Sequence, residues 1–211
     1  GRERVARLLR DMGLVGLPAR RFRHTTDSTH GRPVAPNVLE RHFEADHPNE
    51  RWTTDITCIW TWEGWLYLAV VIDLYSRKVV GWSMGSRMKA QLVCDALMMG
   101  IWLRRPAAGL VVHSDRGTQY ASKAYRRLLK AHGFIGSMSR KGDCWDNAVA
   151  ESFFHLLKTE VTYHCRWLNY QAAYRSLFEY IEIFYNRERS HSTLYYVSPD
   201  QFEQHISTIA A

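Results

Sequence analysis

The sequence has little of what marks exported, membrane or fibrous proteins. Its longest uninterrupted apolar run is eight residues, from Trp65 to Ile72, whereas a membrane-spanning helix needs about 20. The first residues, GRERVARLLRD, are charged and lack the apolar stretch of a signal peptide. Only four cysteines are present and none forms a CxxC pair, so we expect reduced thiols rather than a disulfide framework. No membrane partner is expected.

Positive charge is in excess and unevenly placed. The net charge is +7 and the pI is near 9.4. Residues 1–32 carry a net charge of +5 and residues 121–158 a net charge of +4, with an acidic stretch of −3 over residues 33–50 between them. A basic protein of this kind favours a polyanion partner, because Lys and Arg release counterions from phosphates. A solvated basic surface is the other interpretation.

The apolar patterns predict an α/β fold. Strands are predicted where β-branched and aromatic residues cluster, and helices where apolar residues recur at three- and four-residue steps. The order is β-β-β-α-β-α-β-α-α. Short links between the first three strands indicate an antiparallel meander, so we expect a five-stranded mixed sheet flanked by helices. The predicted strands are residues 51–60, 65–73, 77–84, 110–115 and 133–139, and the predicted helices are residues 91–103, 118–132, 148–162 and 170–187.

Three carboxylates stand at unusual places. Asp55 lies in the middle of the first predicted strand, Asp115 ends the short strand LVVHSD, and Glu151 lies one turn into a helix. The first and fourth strands of such a sheet are neighbours, so these side chains can meet. Clustered carboxylates repel one another unless cations bind them, and their oxygens suit Mg²⁺ or Mn²⁺. Taken singly, each could instead be a salt-bridged, capping or solvated residue.

Three blocks of sequence carry a family resemblance. WTTDIT, HSDRGTQY and DNAVAESFFHLLKTE resemble the catalytic blocks of DDE transposases and retroviral integrases, and 35 residues separate Asp115 from Glu151, as in those families. Together with VAPNVLERHFEADHPNERW, GWLYLAVVIDLYSRKVVGWSM and YNRERSHSTLYYVSPDQFE, they resemble the OrfB-type transposases of bacterial insertion-sequence family three. The resemblance covers nearly the whole chain and implies an RNase H-like fold.

The resemblance also implies a function. Asp55, Asp115 and Glu151 would hold two Mg²⁺ or Mn²⁺ ions and catalyse cleavage at the ends of a mobile DNA element. The freed 3′-OH would then be joined to target DNA. The partners would be element ends and target DNA, with a homo-oligomer assembled on them in the bacterial cytoplasm at the nucleoid. Residues 1–16 resemble the end of a truncated helix-turn-helix region, residues 17–48 a basic and polar linker, and residues 49–211 the catalytic core with its C-terminal helices.

Other residues are candidates for supporting roles. Lys158 lies two helical turns after Glu151 and is expected to contact DNA; Arg140, Lys141 and Trp145 precede the catalytic helix and could bind phosphates or a base. His113 could support the site from behind or be a core histidine, and Asn147 or Asp146 is expected to cap the catalytic helix. No role is predicted for the remaining residues of the family block, which are Asn186, Arg189 and His191.

Two other functions use the same residues differently. An RNase H-like nuclease would cleave DNA without joining strands. A catalytically silent DNA-binding or assembly domain would need no metal, and the intact set of carboxylates argues against it.

Overall fold

A five-stranded mixed sheet forms the centre of the fold. The computed structural model describes residues 1–14, 31–140 and 144–209. β1, β2 and β3 form an antiparallel meander, β4 and β5 run parallel to β1, and the order across the sheet is β3-β2-β1-β4-β5. This confirms the predicted sheet and the predicted contact of the first and fourth strands. The strands are β1 (Arg51–Thr61), β2 (Gly64–Asp73), β3 (Val79–Gly85), β4 (Val111–Ser114) and β5 (Ile135–Met138).

Helices cover both faces of this sheet. α2 (Ala90–Arg104) and α3 (Lys123–Ala131) pack on one face, and α4 (Ala148–Leu157) and α5 (Tyr170–Phe178) pack on the other. Alternate residues of a strand point to opposite faces, so the continuous apolar run of β2 supplies both cores, as expected of a central strand.

One close approach fixes how α2 crosses β3. A Cβ on Gly81 would lie 2.3 Å from the carbonyl oxygen of Ala96, so only glycine allows the helix to rest directly on the strand. By contrast α1 (Arg2–Asp11) buries none of its residues. No helix in the described part of the chain is both long and apolar enough to cross a membrane.

The two long C-terminal helices differ from the prediction in their last turns. α4 continues into a π-helical turn at Lys158–Thr162, and α5 continues into a π-helical segment at Glu179–Glu188. We predicted uninterrupted helices over 148–162 and 170–187. Apolar spacing of three and four residues does not distinguish an α-turn from the wider π-turn, because both keep one face apolar.

Two further boundaries differ from the prediction. α3 begins at Lys123 rather than near residue 118, because the Ser122 hydroxyl accepts the backbone N–H of Tyr125 at 3.2 Å and caps the helix there. The tail, for which we predicted no regular element, contains a 3₁₀ turn at Ser192–Leu194 and α6 (Pro199–Ile209). α6 is held by contacts with distant residues, which no local pattern reveals.

Part of the segment predicted to be a linker lies against the sheet. The Ser137 hydroxyl accepts the backbone N–H groups of Val38 (2.9 Å) and Leu39 (3.2 Å), and Leu39 is buried. The Met138 N–H donates to the carbonyl oxygen of Pro36 at 3.3 Å. Residues 36–39 therefore line the outer edge of β5. The first part of the predicted linker, residues 17–30, lies outside the described residues.

Candidate active site

Strand pairing places two of the predicted carboxylates side by side. β1 and β4 are parallel, and their register pairs Thr54 with Ser114. Asp55 and Asp115 are the next residues on each chain, and adjacent strands lie about 4.8 Å apart. Asp115 directly follows the end of β4, and its Oδ1 accepts the backbone N–H of Gly117 at 2.8 Å. Both residues keep partial contact with solvent.

The start of α4 brings the third carboxylate, Glu151, to the end of the sheet where β4 ends. The Asn147 side chain accepts a hydrogen bond from the Thr53 hydroxyl and donates to the carbonyl oxygen of Thr54 at 3.4 Å. These bonds fasten the beginning of α4 to β1, next to Asp55. Glu151 follows Asn147 by one helical turn and is also partly exposed.

The charges of the three carboxylates interact. Burial raises the pKa of Asp55 well above its usual value, the neighbouring Asp115 raises it further, and Glu151 adds a smaller increase. The Ile56 N–H, which donates to Asp55 Oδ1 at 2.7 Å, and the Lys158 ammonium act in the opposite direction. A nearby cation would stabilise the ionised form of Asp55, because its positive charge offsets both the loss of hydration and the repulsion from the other two carboxylates.

The carboxylates are close but not gathered into a finished metal site. Within residues 1–14, 31–140 and 144–209, no group of three His, Cys, Asp or Glu side chains has the arrangement of a metal-binding cluster. The donor chemistry nevertheless fits a hard divalent cation, since all three candidate ligands offer carboxylate oxygens.

Two residues of the HSDRGTQY block support the site and were not predicted to do so. The Gly117 N–H donates to Asp115 Oδ1 at 2.8 Å, and a Cβ on Gly117 would lie 2.9 Å from that oxygen. The buried Tyr120 hydroxyl lies 3.2 Å from the Thr54 hydroxyl, behind Asp55. An Asp followed two positions later by Gly is the signal of a side-chain-closed turn, and it could have identified Gly117.

His113 lies inside the sheet. It is fully buried, and its two ring nitrogens lie 2.9 and 3.1 Å from the hydroxyls of Ser137 and Ser139. Burial lowers its pKa to about 4, so the ring is neutral at pH 7. These contacts are those of a core histidine with satisfied polar atoms, and its supporting role for Asp115 stays a prediction.

The loop before α4 is organised around Asp146. This side chain is buried and binds the Arg140 guanidinium through both oxygens (2.8 and 3.0 Å), as well as Arg41 (2.9 Å) and the Asn37 amide (3.0 Å). Hydrogen bonds from Arg140 hold the pKa of Asp146 well below its usual value.

Asn147 occupies the predicted N-cap position of the catalytic helix. Its side chain makes no capping hydrogen bond there, because the amide is bound to Thr53 and Thr54. The Asp146 carboxylate is bound to the arginines. Of the predicted DNA-contacting residues in this loop, Trp145 is 70% exposed, the Arg140 guanidinium binds Asp146, and Lys141 lies outside the described residues.

Lys158 begins a braced π-turn. The Glu160 carboxylate in this turn binds the Arg189 guanidinium (2.8 and 3.0 Å) and accepts the Tyr180 hydroxyl at 2.7 Å. The Asn186 amide pairs with both the N–H and the carbonyl of Val79, each at 3.0 Å. These contacts tie the family block YNRERSH to the end of the catalytic helix and to β3.

His191, the third residue of that block, is also internal. Its ring is buried edge-on against Tyr185, with centroids 4.8 Å apart, and burial lowers its pKa to about 4. All three residues therefore hold the fold together.

Two family models match the chain. Both are described as integrase core domain, and they cover residues 45–144 and 151–206. The chain is 50% identical over 199 residues to the transposase InsF for insertion sequence IS3A of Escherichia coli strain K12, covering 94% of this chain and 69% of that protein. It is 46% identical over all 211 residues to an insertion element IS600 31 kDa protein of Shigella sonnei, of which it covers 78%.

Solved structures share the fold. A simian T-cell lymphotropic virus intasome chain matches with a TM-score of 0.62 at 18% identity, over 84% of this chain and 60% of that one. The HTLV-2 integrase catalytic core domain, solved in complex with magnesium as a dimer, matches with a TM-score of 0.55 at 18% identity, over 74% of this chain and 97% of that one. The predicted RNase H-like, integrase-type fold is confirmed.

The match to the relatives covers both aspartates, the glutamate-bearing helix and the C-terminal block. The family models agree on an integrase core, and the fold agrees with them. The chain belongs to the IS3 family of DDE transposases, which are polynucleotidyl transferases of the integrase-core type.

Proposed function

We propose that Asp55, Asp115 and Glu151 catalyse DNA cleavage at the ends of an insertion sequence and transfer of the resulting 3′-OH into target DNA. The observation that carries the proposal is that strand pairing and the start of α4 bring the three carboxylates to one end of the sheet, where Asp115 and Glu151 both raise the pKa of Asp55. The β1–β4 register and the tie between Asn147 and β1 supply the geometry behind that effect.

The cofactor that fits this set is a pair of Mg²⁺ or Mn²⁺ ions. The integrase core family depends on divalent metal, and a structural neighbour is a complex with magnesium. When bound, two such ions neutralise the phosphate and activate the attacking oxygen. The three carboxylates would hold them, and Lys158, which already lowers the pKa of Asp55, would keep part of the negative charge balanced before they bind.

The reaction needs no covalent intermediate with the protein. In the first step a water oxygen attacks a phosphodiester at the element end, a P–O bond to the 3′ oxygen breaks, and a 3′-OH is released. In the second step that 3′-OH attacks a phosphodiester of the target, and one P–O bond forms as another breaks. The same carboxylates serve both steps, since each is an in-line displacement at phosphorus.

The proposed partners are the element ends, the target DNA and further copies of the chain. Lys158, Arg140, Lys141 and Trp145 are proposed to contact the DNA, and the exposed Trp145 ring offers a face for base stacking. A related intasome and a dimeric core domain support assembly of several copies. The relatives are insertion-sequence transposases of bacteria, which supports action at the nucleoid in the bacterial cytoplasm.

The direct test removes one carboxylate at a time. We expect Asp55→Asn, Asp115→Asn and Glu151→Gln each to lower both cleavage of a labelled element-end duplex and its joining to a plasmid by about a thousandfold or more, because the metal site loses a ligand. The measurement is single-turnover kinetics with Mn²⁺, with circular dichroism to verify folding. Asp95→Asn, an exposed carboxylate on α2, is the matched control and should react like the unmodified protein.

The same assay separates the alternatives. Full activity in any of the three variants would remove that residue from the site. Cleavage without joining by the unmodified protein would indicate a nuclease, and neither reaction, together with no Mn²⁺ binding in calorimetry, would indicate a silent DNA-binding domain. We also expect Mn²⁺ to raise the melting temperature of the unmodified protein but not that of Asp55→Asn.

A further inference from the structure

A row of four cations follows one face of α3. Lys123, Arg126, Arg127 and Lys130 are spaced three, four and seven residues apart from the first, so they share one side of the helix. All four are exposed, while Tyr125 and Leu129 on the opposite side are buried in the core between α3 and the sheet. We call these four residues the α3 basic stripe.

The stripe is unfavourable for the helix that carries it. In the described part of the chain, none of the four side chains has a carboxylate within ion-pair distance, and the first turn of α3 contains no acidic residue. Like charges three and four residues apart destabilise a helix by roughly 0.2–0.5 kcal/mol per pair, and a cation at the N-terminus opposes the helix dipole. An ordinary solvated face mixes both signs of charge, so this arrangement indicates a polyanionic partner.

The stripe begins near the candidate active site and leads away from it. α3 follows β4 and precedes the parallel strand β5, so its N-terminus lies at the edge of the sheet where Asp115 ends β4. α3 covers the face of the sheet opposite to α4, which carries Glu151. From Lys123 to Lys130 the helix rises about 10 Å, a length that corresponds to about three base-pair steps along the axis of duplex DNA.

We infer that the α3 basic stripe binds the phosphate backbone of duplex DNA outside the cleavage site. This rests on the proposed function in so far as DNA is the substrate. The stripe contacts carry no base recognition, because exposed Lys and Arg side chains on one helix face contact phosphates without reading sequence. They hold the duplex along α3, while the strand to be cut lies against the start of α4.

The test compares two variants of equal charge. One carries Lys123→Gln, Arg127→Gln and Lys130→Gln; the control carries Arg105→Asn, Arg166→Gln and Arg175→Gln, three exposed cations on other elements. Both are made in chains with Asp115→Asn, so that the probe, a 30-base-pair duplex of random sequence, stays intact. Its dissociation constant is measured by fluorescence anisotropy between 50 and 200 mM KCl.

We expect the stripe variant to lose three phosphate contacts. The slope of log Kd against log salt should fall by about 2.7 relative to the parent, because each contact contributes about 0.9. The increase in Kd between 50 and 200 mM KCl should therefore be roughly 40-fold smaller than for the parent. The control should keep the slope of the parent. Equal slopes in the two variants would overturn the inference and leave the stripe as a solvated face.

A second substitution excludes misfolding as the cause. Lys123→Glu places an acid in the first turn of α3, so it should leave the melting temperature unchanged or raise it while weakening binding of the duplex. Unchanged binding in this variant would contradict the inference. The two proposals can fail separately. If the duplex binds through the stripe but the chain with Asp115 intact does not cleave element ends, the proposed function is wrong and the inference about the stripe stands. If element ends are cleaved but duplex binding does not depend on the stripe, the inference is wrong and the proposed function stands.

Discussion

At the scale of single residues, the position of the Asp115 carboxylate depends on the absence of a side chain at Gly117. Gly117 donates its N–H to Asp115 Oδ1, and the place where a Cβ would stand is 2.9 Å from that oxygen and 3.1 Å from Gln119 Oε1. A methyl group there would displace the Asp115 carboxylate from its present position, and a displacement of about 1 Å in a catalytic group costs a large factor in rate.

We therefore expect Gly117→Ala to keep the fold and lose activity. Stability should fall by about 1–2 kcal/mol, because Gly117 is buried and two side-chain oxygens have to shift to admit the Cβ, while single-turnover cleavage falls by about 10- to 100-fold. The matched control is Gly31→Ala, where a Cβ would have nothing within 4 Å. Equal cleavage rates for the two variants would show that Asp115 adjusts freely.

The sequence predicts the residues of the site better than their supports. Asp55 is recognisable because an acid is disfavoured inside a strand. Its position beside Asp115 follows once β1 and β4 are known to be neighbours, because their register pairs Thr54 with Ser114. The role of Asn147 could not be predicted in this way. Its type suits a helix cap, but tertiary contacts with Thr53 and Thr54 compete for the same amide and prevail.

At the scale of elements, Asp146 ties the turn before α4 to the end of β5 and to the segment before β1. It lies in the turn Cys144–Asn147, binds Arg41 from the segment before β1, and accepts hydrogen bonds from the backbone N–H and the guanidinium of Arg140 after β5. Its side chain is fully buried, whereas those of Arg41 and Arg140 are 43% and 55% exposed. Solvent screening therefore weakens these pairs relative to fully buried ones.

We expect Asp146→Asn to cost about 2 kcal/mol of unfolding free energy at pH 7, below the 3–5 kcal/mol of fully buried pairs. The folded protein holds the pKa of Asp146 below its usual value of 3.8, so the ionised form contributes stability above that pH and the contribution is lost as pH falls below it. Urea unfolding at pH 7 and pH 3 checks this.

The predicted sign is specific. The stability difference between the unmodified protein and Asp146→Asn should shrink from pH 7 to pH 3. A matched substitution, Asp95→Asn, changes an exposed carboxylate that accepts a hydrogen bond from Gln91 one helical turn earlier, and it should show a difference below about 0.5 kcal/mol at both pH values. A deficit for Asp146→Asn that grows in acid would contradict the assignment.

Element boundaries follow from local sequence only where a local contact decides them. The strand meander has short links and continuous apolar runs, and it was predicted to within a few residues. The π-turn after α4 has no local signal; it is fixed by Glu160 binding Arg189 and Tyr180, which are 29 and 20 residues away. Long-range pairs of this kind determine the shape of the turn that begins at Lys158.

At the scale of the whole molecule, one arginine connects the end of α2 to the C-terminal helix. The Arg104 guanidinium binds both oxygens of Glu203 on α6 at 2.7 and 2.8 Å, donates to the Asn49 side chain at 3.0 Å, and lies 3.5 Å from Asp73 at the end of β2. Ser76 adds a hydrogen bond to Glu203 at 2.7 Å. The network lies at the end of the sheet where β1 begins and β2 ends.

We expect Arg104→Ala to cost about 3 kcal/mol of unfolding free energy, because it leaves the fully buried Asp73 carboxylate and Glu203 without their shared cation. For a chain of this length that lowers the melting temperature by roughly 6–12 °C. Calorimetry measures the shift. The neighbouring exposed residue gives the control: Arg105→Asn keeps the left-handed backbone conformation that Arg105 adopts and should change stability by less than about 0.5 kcal/mol.

A double-mutant cycle then tests whether the pair, rather than either residue alone, holds α6. Arg104→Ala and Glu203→Ala should be non-additive by about 1–3 kcal/mol, since the second substitution removes a partner that the first has already lost. The Phe202 ring, 5.4 Å from that of Tyr75, offers an independent report of whether α6 stays in place. Additive losses would mean that apolar contacts alone hold α6 against the rest of the fold. The loss of unfolding free energy in Arg104→Ala would then come from the Asp73 carboxylate.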